Sequence, residues 1–379
     1  MRFFSLLILA FAAWGAPPAR FREHLIASDL KGGYQVVAVD VNHDGKTDLI
    51  ALASGQDQLV WFENPGWERH VIAGGFRHMI NLGAWDTDGD GIPEIVLASE
   101  FANQAKNSIG LVSLLEHDGD PRKPWRVREI DRLTTSHRLR WADIYGNGKK
   151  VLVDQPLTGA TAQAPDYRGH TPLVFYRPGE WKRQTIGDEN EGVVHGIYIV
   201  DWAGDGHDAI LTASFVGIHL YRLDGEGRWT RTELAKGDPA PWPKSGASDV
   251  AVGRLGKRRF LASIEPWHGN EVAIYRAHGQ AWERDVIDDS LVSGHTVLTA
   301  DLNGDGRDEV IAGFRGKGQS VLLYYAQDGQ GKHWTREALD HGGIPASACA
   351  VAGLAGSGRP DIACIGGALL KWYENLGAR

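Results

Sequence analysis

The feature that most constrains the fold is an acidic nine-residue loop that recurs along the chain. It first occurs as Asp40–Asp48 (DVNHDGKTD) and returns as Asp86–Glu94 (DTDGDGIPE) and Asp301–Glu309 (DLNGDGRDE). Weaker copies begin at Asp143, Asp201, Gly253 and Gly353. The starts of neighbouring copies are 46 to 58 residues apart. A period of this length indicates a repeat architecture in which each repeat is one supersecondary unit.

Each loop lies within the same pattern of four short β-rich segments bounded by turn residues. The first three segments occur seven times, but the fourth, which opens on a tryptophan, follows only six of the loops. Its seventh counterpart is Phe21–Ile26 (FREHLI), which matches Trp67–Ile72 (WERHVI). We therefore predict an all-β, seven-bladed β-propeller with four-stranded blades, the last of which is closed by the N-terminal strand. An open β-solenoid would leave the displaced strand unexplained.

Composition limits the partners and the location. The formal net charge is −8 and there is no basic run, so we expect no nucleic-acid partner. Residues 1–15 have the pattern of a signal peptide, with Arg2 before a short apolar run, and residues 16–379 are predicted to form a single propeller domain. No later apolar run is long enough to span a membrane, so we expect a secreted or periplasmic monomer.

The chain has two cysteines, Cys349 and Cys364, on either side of the last loop. A symmetric hairpin would place them opposite each other on neighbouring strands. An exported protein permits a disulfide there, but two small buried thiols fit the pattern equally well.

The three complete loops have the oxygen-rich side chains that Ca²⁺ prefers, with a glycine at position 6 for the sharp turn. No helices are expected beside them, so they are not EF-hands. The alternative is an acidic turn held by its own hydrogen bonds. The predicted ligands of structural calcium are Asp40, Asn42, Asp44 and Asp48; Asp86, Asp88, Asp90 and Glu94; and Asp301, Asn303, Asp305 and Glu309.

Candidate functional residues lie at the end of the channel opposite the acidic loops, because the first strand of each blade lines the channel. Six residues before each loop, the channel mouth is predicted to hold Tyr34, Ile80, His137, His195, Ala247, His295 and Ser347. Three of these seven are histidines, and His78 stands two residues before Ile80. Loops between the second and third strands add Glu100, Gln155, Glu265, His268, Arg315 and Lys317, with the aromatic residues Tyr167, Trp242 and Trp267 on the same face.

Arg138 directly follows His137, so on a regular strand its side chain would point to the opposite side. It can reach the channel mouth only if the strand begins irregularly; otherwise it packs between blades. Histidines, arginines and aromatic residues together suggest a site for an anionic or hydroxyl-rich small molecule such as a sugar.

Two chemistries fit the channel mouth. His137, His195 and His295 could bind Zn²⁺ and leave a position open for water or substrate. Alternatively, histidines act as acid and base while Arg315, with Arg138, neutralises an enolate or carboxylate. A ligand-free channel lined by solvated histidines is the third possibility.

The loop spacing resembles the FG-GAP and related repeats of integrin-type and secreted bacterial propellers. Three segments also resemble the propeller domain of the aldos-2-ulose dehydratase family: HRLRWAD from His137, IEPWHGN from Ile264, and the last hairpin from Ala346 to Asn375. This resemblance implies metal-assisted elimination on a keto-sugar such as 1,5-anhydrofructose. The residues that it carries over are His137, Arg138, His195, His268 and His295.

The sequence ends at Arg379, after the propeller, so we expect the isomerase step that the family assigns to its cupin domains to be absent. Lone propellers of this type also resemble polysaccharide lyases that act on uronic acids. We therefore predict a sugar lyase or dehydratase, with the candidate catalytic set His78, His137, Arg138, His195, His268, His295 and Arg315. The alternative is a non-catalytic propeller that binds a glycan or a protein.

Overall fold

A computed structural model describes residues 17–279 and 281–378, and places them in seven four-stranded antiparallel sheets around a common axis. Each sheet is one blade, so the predicted seven-bladed propeller is confirmed. The only helical element within these residues is a single 3₁₀ turn at Ala105–Asn107, and no helix there is long and apolar enough to cross a bilayer. The predicted signal peptide, residues 1–15, lies outside the described residues.

The strands are numbered in chain order. Blade 1 contains β2 (Gly33–Val39), β3 (Asp48–Ala53), β4 (Gln58–Glu63) and β5 (Glu68–Gly74). Blade 2 contains β6 (Asn81–Trp85), β7 (Glu94–Ser99), β8 (Leu111–Glu116) and β9 (Arg126–Arg132). Blade 3 contains β10 (Ser136–Ala142), β11 (Val151–Pro156), β12 (His170–Tyr176) and β13 (Gln184–Glu191). Blade 4 contains β14 (Val194–Asp201), β15 (Asp208–Ser214), β16 (Gly217–Leu223) and β17 (Trp229–Ala235).

Blade 5 contains β18 (Asp249–Leu255), β19 (Arg258–Glu265), β20 (Glu271–His278) and β21 (Ala281–Asp288). Blade 6 contains β22 (Gly294–Ala300), β23 (Glu309–Phe314), β24 (Ser320–Ala326) and β25 (Trp334–Asp340). Blade 7 combines β26 (Ala348–Ala352), β27 (Asp361–Gly366) and β28 (Leu369–Ala378) with β1 (Ala19–Ala27) from the start of the chain.

Burial differs between the strands of a blade in the way the sequence pattern indicates. The second strands β3, β7, β23 and β27 are buried at every position, because both faces of a blade pack against neighbouring blades. The fourth strand β9, with the sequence RVREIDR, is mostly exposed at the rim. The hydrophobic core is therefore divided into clusters between adjacent blades, such as the one around Trp61 and Leu97.

The N-terminal strand closes the ring. β1 pairs antiparallel with β28, from Ala19 opposite Ala378 to Ala27 opposite Leu370. This is the pairing predicted for Phe21–Ile26. It covers the edge of blade 7 that would otherwise present unpaired backbone groups to solvent.

Three clasps join consecutive blades at the ends of their fourth strands. In each, an aspartate accepts hydrogen bonds from a tyrosine hydroxyl and a basic side chain of the next blade. The clasps are Asp131 with Tyr176 and Arg183, Asp288 with Tyr324 and Arg336, and Asp340 with Tyr373 and Lys371. The third clasp connects blade 6 to the blade that closes the ring.

The two cysteines form a disulfide across β26 and β27. Cys349 lies directly opposite Cys364 in the strand pairing, with Cα atoms 4.1 Å apart. Of the two alternatives left open by the sequence, the structure shows the bonded one.

Candidate functional site

Irregularities at the start of the inner strands direct four side chains toward the channel mouth. The register of the inner strand shifts by one residue at Tyr34, His137, His195 and His295. A β-bulge of this kind bends the strand and changes the direction of a side chain. The structure therefore brings together the three histidines that the sequence placed at one register.

A fourth histidine joins them from a loop. His268, between β19 and β20, has φ +49°, and its backbone N–H donates to Ser248 Oγ at 3.3 Å. The ring centroid of His268 lies 4.8 Å from that of His195 and 5.1 Å from that of His295. A left-handed conformation in a non-glycine residue costs about 1–3 kcal/mol and is concentrated at functional sites.

Backbone carbonyls orient two of these imidazoles. His195 Nδ1 lies 3.2 Å from Ser248 O, and His295 Nδ1 contacts Ser347 O. Because a carbonyl only accepts hydrogen bonds, each Nδ1 carries the proton and each Nε2 keeps its lone pair. Among the described residues, His295 Nε2 is buried without a hydrogen-bond partner. This outer contact to a carbonyl is the one that orients metal-bound histidines in proteins.

The histidines are neutral at physiological pH. Burial lowers the pKa of His137, His195 and His295 well below the usual imidazole value, and Arg138 or Arg315 adds repulsion. Burial, with the same two arginines, lowers the pKa of His268 to about 3. A neutral imidazole is the form that binds a metal ion.

Arg138 reaches the channel mouth because the strand does begin irregularly. The register shift between Ser136 and Arg138 turns the guanidinium toward the histidines. Its Nη1 lies 3.0 Å from His137 Nε2, and its Nη2 lies 3.3 Å from His195 Nε2. Arg315 is partly buried nearby, and burial lowers its pKa while Tyr34 opposes that shift.

Three of the four histidines form a possible metal site. The ligand atoms of His195, His268 and His295 all lie within 4.8 Å of one another, and the Nε2 atoms of His195 and His268 are 3.2 Å apart. A tetrahedral zinc site with Zn–N bonds of about 2.0–2.1 Å needs ligand nitrogens about 3.4 Å apart. This possible group contains His268, whereas the set predicted from the sequence contained His137. His137 instead pairs with Tyr34, whose Oη lies 3.1 Å from His137 Nε2.

Several sequence candidates lie apart from this cluster. His78 is exposed on the loop before β6, Lys317 is exposed, and Glu100 forms an ion pair with Arg77. Gln155 and Glu265 are fully buried. Gln155 donates to the carbonyl of Pro156, and Glu265 accepts from Tyr275 and Arg284, so both serve the interior of their blades.

The aromatic residues predicted on this face form a small cluster beside the histidines. Trp267 packs against Tyr167, Phe215 and His268, with ring centroids 5.6, 5.8 and 4.9 Å apart. Trp242 packs on Phe215 and lies beneath the guanidinium of Arg168. Tyr167 and Phe215 are buried, whereas Trp242 and Trp267 are partly exposed and form an aromatic wall beside His268.

Sequence reasoning missed two features of the site. In blade 5 the residue that contacts His195 is Ser248, one position after the predicted Ala247. Arg140 also lines the channel with Arg138. Residues two apart on a strand lie on the same side, so the spacing of Arg138 and Arg140 could have indicated that both line the channel.

The acidic loops lie at the opposite end of the channel, and their own backbone occupies many of their oxygens. The first aspartate accepts backbone N–H groups in the complete loops and in the weaker loops at Asp143 and Asp201. Among the described residues, only the second loop brings three carboxylates close together, those of Asp86, Asp88 and Glu94. The loops of Asp40 and Asp301 have an asparagine at the third position and so offer fewer carboxylates.

Fold and site together define a seven-bladed propeller with FG-GAP-like repeats and a channel mouth lined by histidine and arginine. The predicted resemblance is confirmed by family models. The model of the aldos-2-ulose dehydratase β-propeller domain matches residues 109–278, and that of the FG-GAP-like repeat matches residues 40–97. The first of these ranges includes His137, Arg138, His195 and His268.

Two curated proteins are similar to this chain. Aldos-2-ulose dehydratase of Phanerodontia chrysosporium is 27% identical over 266 residues, which are 61% of this chain and 29% of the relative. Rhamnogalacturonan exolyase YesX of Bacillus subtilis (strain 168) is 26% identical over 257 residues, which are 60% of this chain and 37% of the relative. The chain therefore spans about a third of the length of these relatives.

Among solved structures, the WD40 β-propeller domain of Doa1 is similar, with a TM-score of 0.57 and 10% identity. The match covers 93% of this chain and 97% of that domain. At this identity the similarity concerns the fold alone.

Proposed function

We propose that the protein is a carbohydrate-active lyase or dehydratase whose reaction takes place at the channel mouth. The observation that carries the proposal is the convergence of four neutral histidines with Arg138 and Arg315 at one end of the channel. The distant homology supports the same class, since one relative is named a dehydratase of aldos-2-uloses and the other a rhamnogalacturonan exolyase.

In this proposal His195, His268 and His295 hold a divalent cation such as Zn²⁺. The donor set fits, because the Nε2 lone pair of His295 is buried and unmatched among the described residues, and the carbonyls of Ser248 and Ser347 fix the tautomers. The cation would supply positive charge to a carbonyl or carboxylate oxygen of the sugar. The low pKa of these imidazoles favours the ligand role over that of a general base, which needs a pKa near the working pH.

The remaining groups move the proton and balance the charge. Elimination breaks a C–H bond next to the carbonyl or carboxylate, forms a C=C bond, and breaks the C–O bond on the next carbon. Tyr34 Oη transfers the proton, and His137 Nε2, 3.1 Å away, orients its hydroxyl group. The departing oxygen takes up a proton and leaves as water or as the hydroxyl of a sugar. Arg138 and Arg315 stabilise the negative charge that develops in between.

Calcium and export complete the proposal. The loop with Asp86, Asp88 and Glu94 would hold a structural Ca²⁺, because three carboxylates and a sharp glycine turn suit a hard cation. Residues 1–15 would direct the protein to the periplasm or the medium, where polysaccharides and their sugars are found.

One observation favours a second candidate function. Trp242 and Trp267, which are partly exposed on this face, could stack on sugar rings, as aromatic residues do in glycan-binding sites. A non-catalytic glycan-binding propeller would use this wall without needing the histidines.

The test is an elimination assay with metal-loaded protein. 1,5-Anhydrofructose and glucuronate-containing glycans are incubated with wild type, His295→Ala and the exposed control His278→Ala, while ultraviolet absorbance reports a conjugated product. We expect product from wild type and His278→Ala, and a loss of at least a hundredfold in His295→Ala. Absence of product from every substrate, with glycan binding retained by His295→Ala, would favour the binding module.

A further inference from the structure

A chamber of about 340 Å³ lies in the channel directly below the histidines. Its upper rim includes Tyr34, His295 and Ser347, and its next layer follows these residues along the inner strands. Ligand pockets usually have volumes of about 300–1,000 Å³, so the chamber is large enough for part of a sugar. Besides the rim residues, its polar lining includes Gln35, Asn81, Arg138, Arg140, Tyr198, Asp249 and Thr296.

The acceptor groups of the chamber are already engaged by the backbone of the next blade. Gln35 Oε1 accepts the N–H of Leu82, and Asn81 Oδ1 accepts the N–H of Leu139. Asp249 accepts the N–H of Val250 in its own strand through Oδ1 and the N–H of Val297 in the next blade through Oδ2. These side chains therefore bind neighbouring blades together through backbone N–H groups.

The donors of the chamber are in excess. Arg140 Nη1 donates to Asn81 Oδ1 at 3.0 Å and to Leu139 O at 2.8 Å. Its Nε and Nη2 groups have no hydrogen-bond partner within residues 17–279 and 281–378. Burial and Arg138 lower the pKa of Arg140 to about 10, so the guanidinium is still charged at neutral pH.

The charged side chains of the chamber carry a surplus of positive charge. Arg138 and Arg140 face a single carboxylate, Asp249, whose pKa is raised by burial to about 6. Near neutral pH the two cations and one anion leave a net charge of about +1. A ligand that brings one negative charge and several acceptor oxygens would match this surplus, whereas a neutral hydroxyl group would not.

We propose that the chamber binds the carboxylate of a uronic acid, with Arg140 as the main anchor and Arg138 as the link to the histidines above. A planar guanidinium binds a carboxylate through two parallel hydrogen bonds. This inference rests on the proposed function and narrows it, because it selects a uronate over a neutral keto-sugar. Tyr34, the proposed proton-transfer group, lies on the rim of the same chamber.

The test compares two sugars that differ only in this group, D-glucuronate and D-glucose. Their dissociation constants are measured by calorimetry for wild type, Arg140→Met, Arg140→Lys and Arg222→Met, a partly exposed control outside the chamber that pairs with Asp205. We expect wild type to prefer glucuronate, and Arg140→Met to weaken glucuronate between about tenfold and a hundredfold with glucose unchanged. Arg140→Lys should give an intermediate loss, and Arg222→Met none.

Equal affinity of wild type for the two sugars, or an equal loss of both in the Arg140 variants, would overturn the proposal. If Arg140→Met does not fold, the wild-type preference and the Arg140→Lys variant decide the question. Elimination of a neutral keto-sugar, with no preference for glucuronate, would refute the carboxylate site and leave the lyase intact. Binding of glucuronate that depends on Arg140, with no elimination of any substrate, would refute the lyase and leave the carboxylate site intact.

Discussion

Asp154 offers the sharpest test of the electrostatics inside the propeller. It is fully buried in β11, opposite Leu139 of β10 in the strand pairing. Its Oδ2 accepts the hydroxyl of Ser136 at 2.8 Å, and its Oδ1 has no hydrogen-bond partner among the described residues. Burial raises the pKa of this carboxyl to about 7.

The effect on stability follows from linkage. In the unfolded chain the carboxyl titrates near 3.8, so between pH 3.8 and about 7 the folded state holds a proton that the unfolded state has lost. Stability therefore falls as pH rises through this window and levels off above it. A difference of about three pH units, each equivalent to about 1.4 kcal/mol, gives a total of about 4 kcal/mol.

The assay is urea unfolding of wild type and Asp154→Asn at pH values from 4 to 8. The asparagine cannot ionise, so the free energy of unfolding of wild type minus that of the variant should fall by about 4 kcal/mol between pH 4 and pH 8. Ser136→Ala removes the hydrogen bond that favours the charged carboxylate, so it should extend the fall to higher pH. A difference that stays constant across the range would refute the buried protonated carboxyl.

Three further predictions concern the ring and its loops. Asp340→Ala should lower the free energy of unfolding by about 3–5 kcal/mol, since Lys371, Tyr373 and the N–H groups of Gly343 and Ile344 all lose an acceptor and Lys371 keeps only Glu23. Tyr373→Phe should lower it by only about 1–2 kcal/mol, and equal losses in urea unfolding would argue against the clasp. Replacing Cys349 and Cys364 together by serine should lower the free energy of unfolding by about 3 kcal/mol, because the disulfide joins residues with a sequence separation of 15. An unchanged unfolding midpoint would contradict this. Calcium should raise the melting temperature of wild type by a few degrees and leave that of Asp88→Asn unchanged. A shift retained in the variant would exclude the second acidic loop as the calcium site.

The fold could be predicted from the sequence because each blade repeats the same local signals. The acidic loop marks the first hairpin of every repeat, and the count of tryptophan-led segments shows that one strand is displaced. Phe21–Ile26 supplies that strand, and its likeness to Trp67–Ile72 gives its position in the blade. The register of His137, His195 and His295 follows from the same repeat, so their convergence needed no tertiary information.

The details of the site depend on contacts that no local pattern encodes. Arg138 reaches the histidines only through a bulge, and His268 reaches them from a loop of blade 5 in a left-handed conformation. Glu265 ends β19 three residues before His268, but its carboxylate accepts hydrogen bonds from Tyr275 and Arg284 inside the blade. The direction of each of these side chains depends on which polar groups of the neighbouring strands lack a hydrogen-bond partner.

The central claim is that the histidines of the channel mouth form one metal-binding group. Crystals of the zinc-loaded protein, measured at the zinc absorption edge, test it most directly through anomalous scattering. The account predicts a single strong peak in the channel mouth, within about 2.0–2.1 Å of one nitrogen each of His195, His268 and His295. No peak there at saturating zinc, or a peak held by His137 without His268, would contradict it.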